Sequence, residues 1–211
     1  MKRQTTESEN NLENWRQINK KLNTDNTDKF LEHGIDIENR IIHLFQDIDA
    51  ETCGIVVKGL QLMIIKNKEK DIDIYINSFG GCAYSAIGLY NFIRTLKTCN
   101  VNTYNIGCAM SGGSIVFMAG DRRYMYENTV FMFHSVSSQA EGKVYLDLIE
   151  EAEECKRIHQ DLCKIYSKHT NKTQKQWDNL IKYKNVYYRA DNAIKLGIVD
   201  KIILDNDDIK D

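Results

Sequence analysis

The chain has 211 residues, 42% hydrophobic and 27% charged, with a formal net charge of −2. That balance fits one large globular domain and gives no reason to expect a polyanionic partner such as nucleic acid. No apolar run approaches the roughly 18 residues of a membrane span, and the polar start, residues 1–26, lacks the apolar stretch of a secretory signal.

Residues 1–26 read as a flexible polar tail, residues 27–205 as the folded domain, and residues 206–211 as a short acidic tail. From Arg40 onward strand and helix patterns alternate. Ile41, Ile42, Leu44 and Phe45 make an apolar strand, and Asp49 is placed to cap a helix carrying Ile55, Val56, Leu60, Met63 and Ile64. Residues 71–76 alternate as a strand and end at a Gly80-Gly81 turn, followed by a helix with Ala86, Leu89, Tyr90 and Ile93. A strand is expected over 101–106, a loop over 108–111, a short apolar helix over 112–119, and strands over 124–126 and 130–133. A long helix runs from about residue 142 to 168, with an apolar stripe from Leu148 to Ile165 and a solvated acidic face at Glu150, Glu151, Glu153 and Glu154. A short helix surrounds Trp177. A helix over 190–196 ends at Gly197 before a last strand over 198–204. Repeated strand-helix units predict an α/β domain.

Six cysteines, at 53, 82, 99, 108, 155 and 163, form no CxxC pair and no familiar zinc spacing. They read as reduced, mostly buried thiols of a cytoplasmic protein, and no metal site is expected. Three segments can carry chemistry. In Asn77-Ser-Phe-Gly-Gly81, paired glycines either make a tight turn or bring backbone N–H groups close to a ligand. In Gly107-Cys-Ala-Met-Ser-Gly-Gly-Ser114, Ser111 stands between a strand and a helix. It is either an N-cap or an exposed nucleophile beside the N–H of Gly112. Ser114, one turn later, would face a neighbour rather than a cleft. In Phe131-Met-Phe-His134 a histidine ends an apolar strand, as a core residue or as a base. His33, His43, His159 and His169 make weaker candidates.

Together these segments resemble the proteolytic subunits of Clp proteases. Residues 73–81 are similar to that family's segment before the active site, residues 107–112 to its nucleophile segment, residues 132–134 to its histidine segment, and residues 190–200 to its closing helix and strand. Residues 113–120 are similar to phage and prophage members. The resemblance implies a crotonase/ClpP-like α/β spiral of βαβ units, with the long helix as a handle between stacked heptameric rings. It also implies an AAA+ unfoldase partner that consumes the ATP, unfolded protein substrates, and no cofactor in this chain. By the same resemblance Ser111 attacks the peptide carbonyl, His134 carries the proton, and the N–H groups of Gly81 and Gly112 hold the oxyanion.

The sequence departs from the family at several points. Phe79 stands where proline is usual, and Ser135-Val136 where a Gln-Pro pair is common. Asn185 falls where the family's catalytic aspartate belongs, with Lys184 as the neighbouring match and Asp178 or Asp191 as substitutes in space. Three further readings are a catalytically weak ring subunit beside an active paralogue, a phage head-maturation protease acting in the host cytoplasm, and an acyl-CoA enzyme of the crotonase fold.

Overall fold

Parallel strands need crossover connections, and this chain supplies them as helices. In the computed structural model, which describes residues 32–137, 144–205 and 207, β1 (Ile35–Asp36) pairs antiparallel with β2 (Ile41–Leu44). Helix α1 (Ala50–Lys66) then leads to β3 (Ile72–Ser78), and α2 (Ala83–Thr95) leads to β4 (Val101–Met110). Strands β2, β3 and β4 are parallel neighbours. Their inward residues, among them Ile42, Leu44, Ile72, Ile74, Ile76 and Val101, are fully buried or nearly so. Helix α1 covers them with Val56, Leu60 and Met63, each worth about 1.5–3 kcal/mol on burial. Asp49 caps α1 by accepting from the backbone N–H of Thr52 at 2.7 Å. At its other end the buried guanidinium of Arg40 donates to the carbonyls of Met63, Lys70 and Asp71 at 2.6, 2.6 and 2.9 Å.

After α3 (Gly112–Phe117) the sheet divides. Strand β5 (Arg122–Tyr126) runs parallel to the first half of β4, and β6 (Val130–Phe133) parallel to its second half. Helices α4 (Tyr145–His169) and α5 (Gln174–Ile181) precede β7 (Val186–Tyr188), which returns antiparallel on β6. Helix α6 (Ala190–Lys195) then leads to β8 (Lys201–Ile203), parallel to β5. Among the described residues no helix is long and apolar enough to cross a membrane.

Three differences from the sequence expectation have local causes. The segment expected as a loop after residue 107 continues β4 to Met110, because β3 and β6 pair with it on either side. The chain tolerates this through Gly107, where a Cβ would collide with the Asn77 amide. That amide oxygen accepts from the N–H of Cys108 at 3.2 Å, beside the register shift between Ile76 and Ser78. Strands β1 and β7 span two and three residues, too short to show a period. The last strand shortens to β8, since only Lys201, Ile202 and Ile203 pair with β5. The long helix starts at Tyr145, and the expected start at residue 142 lies outside the described residues, as do the tail over 1–26 and most of residues 206–211.

Candidate active site

Strands β3, β4 and β6 run in one direction, so their carboxyl ends meet along one edge of the sheet, the usual place for a site in such folds. The three segments singled out in the sequence occupy those ends: the Gly80-Gly81 turn follows β3, Ser111 follows β4, and His134 follows β6.

Ser111 sits at φ 49° and ψ −120°, a sharp strand-to-helix turn that L-residues seldom adopt. Its backbone N–H donates to the carbonyl of Met132 at 3.1 Å. It occupies the N-cap place of α3, yet its side chain makes no capping bond. Its carbonyl instead accepts from the N–H and hydroxyl of Ser114, at 3.0 and 2.6 Å. The hydroxyl of Ser111 is therefore released from capping and lies 2.6 Å from Nε2 of His134. Ser114 is fully buried and also bonds the Tyr166 hydroxyl at 3.1 Å, so it faces no cleft.

The glycine turn packs directly on this elbow. Gly80 and Gly81 have φ of 109° and 146°. A Cβ on Gly80 would lie 2.6 Å from Cβ of Ser111 and 2.8 Å from the nitrogen of Gly112, and one on Gly81 would collide with the Ile48 backbone. In the parallel bridge between Ile48 and Gly81, the bonds run from Ile48 N–H to Gly80 carbonyl and from Cys82 N–H to Ile48 carbonyl, at 2.8 and 2.6 Å. The N–H of Gly81 itself faces the other way. Its nitrogen is 3.3 Å from the point a Gly112 Cβ would occupy. Gly112 opens α3, so its N–H has no intrahelical acceptor. Among the described residues neither N–H donates to a backbone carbonyl in a turn, loop or cap. A cavity of about 150 Å³ lies here, lined by Gly81, Ser111, Gly112, His134 and Leu162.

Burial pushes the pKa of His134 below its ordinary 6.5, which favours the neutral imidazole a general base requires. Among the described residues no carboxylate bonds its ring. The antiparallel ladder of β6 on β7 ends with Phe133 opposite Val186, so His134 and Asn185 are the first residues beyond it on the two strands. The two side chains make no hydrogen bond, and Asn185 is exposed. Lys184 and Asp191 are exposed as well. Asp178 is engaged elsewhere: its carboxylate lies 2.8 Å from Nε2 of His159.

That second histidine, set aside in the sequence, anchors a separate cluster. Cys163 Sγ approaches the same Nε2 at 3.6 Å, while Nδ1 lies 3.2 Å from the Ser135 hydroxyl. A nucleophile-base-acid relay needs the acid on the opposite ring nitrogen. Burial, and then the charge of Asp178, push the Cys163 thiol up to about 12. Neither feature suits a second nucleophile. The sequence signal was faint: His159 and Cys163 are one helical turn apart on α4, and Asp178 lies on the next helix.

A hydroxyl seated on a neutral imidazole, with two N–H groups beside it, permits acyl transfer through serine, and that places the chain among the α/β serine hydrolases. Comparison with known proteins narrows the class. The protein-family model for Clp protease matches residues 29–206. The ATP-dependent Clp protease proteolytic subunit of Deinococcus radiodurans is 31% identical over 169 residues, covering 79% of this chain and 81% of its own. The chain belongs to the Clp protease family and is a Clp-type serine peptidase subunit.

Proposed function

We propose that Ser111 is the nucleophile and His134 its general base in the hydrolysis of peptide bonds in unfolded chains. The observation that carries this reading is the 2.6 Å contact between Ser111 Oγ and His134 Nε2. Neutral His134 takes the hydroxyl proton as Oγ attacks the carbonyl, and returns it to the leaving amine. The N–H groups of Gly81 and Gly112 receive the oxyanion, and water then releases the acyl chain by the same route. The hydrolysis itself draws on no cofactor.

Asn185 takes the third place, where its amide oxygen can accept from the ring N–H without supplying charge. The β6–β7 ladder, which stops one residue short of both Asn185 and His134, supports this assignment. The subunit works in stacked heptameric rings that enclose a chamber, in the cytoplasm, fed by an AAA+ unfoldase that spends the ATP. The name of the Deinococcus relative, an ATP-dependent proteolytic subunit, supports that partnership.

A fluorophosphonate probe tests the site directly. Mass spectrometry should map the adduct to Ser111, and Ser111→Ala should lose both labelling and several orders of magnitude of peptide turnover. An adduct on another serine, or turnover retained by Ser111→Ala, overturns the assignment.

A further inference from the structure

Next to the Ser111 cavity, with which it shares Ser135 and Val136, a larger cavity of about 760 Å³ opens between α4 and α5. Its floor holds His159, Cys163 and Asp178, whose donor atoms all lie within 4.8 Å of one another. His159 and Cys163 are buried, and Asp178 is half open to the cavity.

The geometry is that of ligands rather than of a hydrogen-bond relay. Thiol and carboxylate converge on one ring nitrogen, which can hold a single proton between them. The second ring nitrogen is held by the Ser135 hydroxyl, as metal-binding histidines are held by an outer partner. A tetrahedral zinc ion with bonds of about 2.05 Å to nitrogen and about 2.3 Å to sulfur sets those atoms about 3.6 Å apart. The separation between His159 Nε2 and Cys163 Sγ is 3.6 Å. The matching nitrogen-oxygen separation is about 3.3 Å, against 2.8 Å observed, so Asp178 has to move back by about half an ångström into the open cavity. Lys156, Lys175 and Lys182 line the same cavity and oppose a hard cation held by charge alone. Mixed nitrogen, sulfur and oxygen donors select the zinc class instead.

We propose that His159, Cys163 and Asp178 form a binding site for a zinc-class divalent cation, with its fourth position open to the cavity. Binding displaces the Cys163 proton to solvent and leaves a metal–thiolate bond. The imidazole proton then resides on Nδ1, so His159 donates to the Ser135 hydroxyl. Ser135 follows His134 in the chain, which joins the cation site to the segment carrying the proposed base.

The test is optical titration of the full chain, freed of metal by a chelator, with Co²⁺ and then Zn²⁺. One Co²⁺ per chain should give the intense visible bands of a tetrahedral site and a thiolate-to-cobalt band in the near ultraviolet, both erased by Zn²⁺. Cys163→Ala should remove the thiolate band. Asp178→Asn, at a partly exposed position, should melt like wild type in chelator yet bind Co²⁺ at least about tenfold more weakly and lose the rise in melting temperature that Zn²⁺ gives the wild type. A weak octahedral spectrum, a thiolate band that survives Cys163→Ala, or unchanged binding by Asp178→Asn overturns the site. None of these readouts depends on peptidase activity.

Discussion

At the scale of single residues, the question is how Ser111, the proposed nucleophile, is activated beside His134, whose ring no carboxylate bonds among the described residues. Burial keeps His134 neutral to lower pH than an exposed imidazole, so the proposed base is present at pH 7 without help. The imidazolium formed during attack is the costly species, and Asn185 in its proposed third place offers it no charge. The sign follows from the direction of the shift. Activity should fall as pH drops through a His134 pKa below 6.5, so the acidic limb of the pH–rate profile lies below that value. Asn185→Asp places a carboxylate opposite the ring, which stabilises the imidazolium and raises the pKa. Peptide turnover should rise at least about tenfold, roughly 1.4 kcal/mol in the barrier, and the acidic limb should move to higher pH. Asn185→Ala should turn over more slowly than wild type. Three superimposable profiles would remove Asn185 from the mechanism. The sequence revealed the segments of Ser111 and His134 because each ends a strand at a distinctive motif. It could not settle whether Ser111 spends its hydroxyl on its own helix, since that depends on the φ of one residue and on the bonds of Ser114. Nor could it join His159 to Asp178, which requires two helices to pack.

At the scale of elements, an ion pair anchors the approach to the closing strand. Arg123 on β5 is nearly buried, and its Nε and Nη2 donate to the two carboxylate oxygens of Asp200 at 3.1 and 2.9 Å. The same carboxylate accepts from the Arg123 backbone N–H at 2.8 Å, and the N–H of Asp200 donates back to the Arg123 carbonyl at 2.8 Å. Asp200 thus sets the register in which β8 joins β5, immediately after the Leu-Gly-Ile-Val run. Asp200→Ala leaves a guanidinium buried with one remaining oxygen partner, the carbonyl of His169 at 3.0 Å. The expected loss is about 2–3 kcal/mol, read as a lower urea midpoint at fixed protomer concentration. A midpoint unchanged from wild type would make the pair ornamental. Helices and longer strands were legible here because their periods repeat over several residues. β1 and β7 were not, because their pairing partners rather than their own side chains define them. The same holds for the end of β4, where Gly107 reads as a break and serves instead as the gap into which Asn77 fits.

At the scale of the whole molecule, α4 divides into two unlike halves. Its second half is anchored, with Ile158, Leu162, Cys163, Ile165 and Tyr166 buried against the sheet and α5. The stripe predicted from Leu148 onward does not continue as core. Tyr145 and Leu146 are 73% and 68% exposed, and Leu148 and Ile149 are 39% and 40% exposed. The helix therefore carries apolar side chains into solvent over its first two turns, where the subunit alone gains nothing from them. Exposed apolar side chains on adjacent turns of one helix suit a buried contact between copies, and they lie on the helix expected to join the rings. Light scattering should then report a mass many times the 24.5 kDa of one chain. Leu146→Asp should lower that mass by opposing burial of the exposed turns while sparing the anchored half, so circular dichroism should stay near wild type. Peptide turnover should fall with the mass if the proposed ring contacts orient His134. A monomeric wild-type protein at micromolar concentration and moderate salt, or a Leu146→Asp protein of unchanged mass, would leave those apolar turns without their proposed purpose and the chamber without its handle.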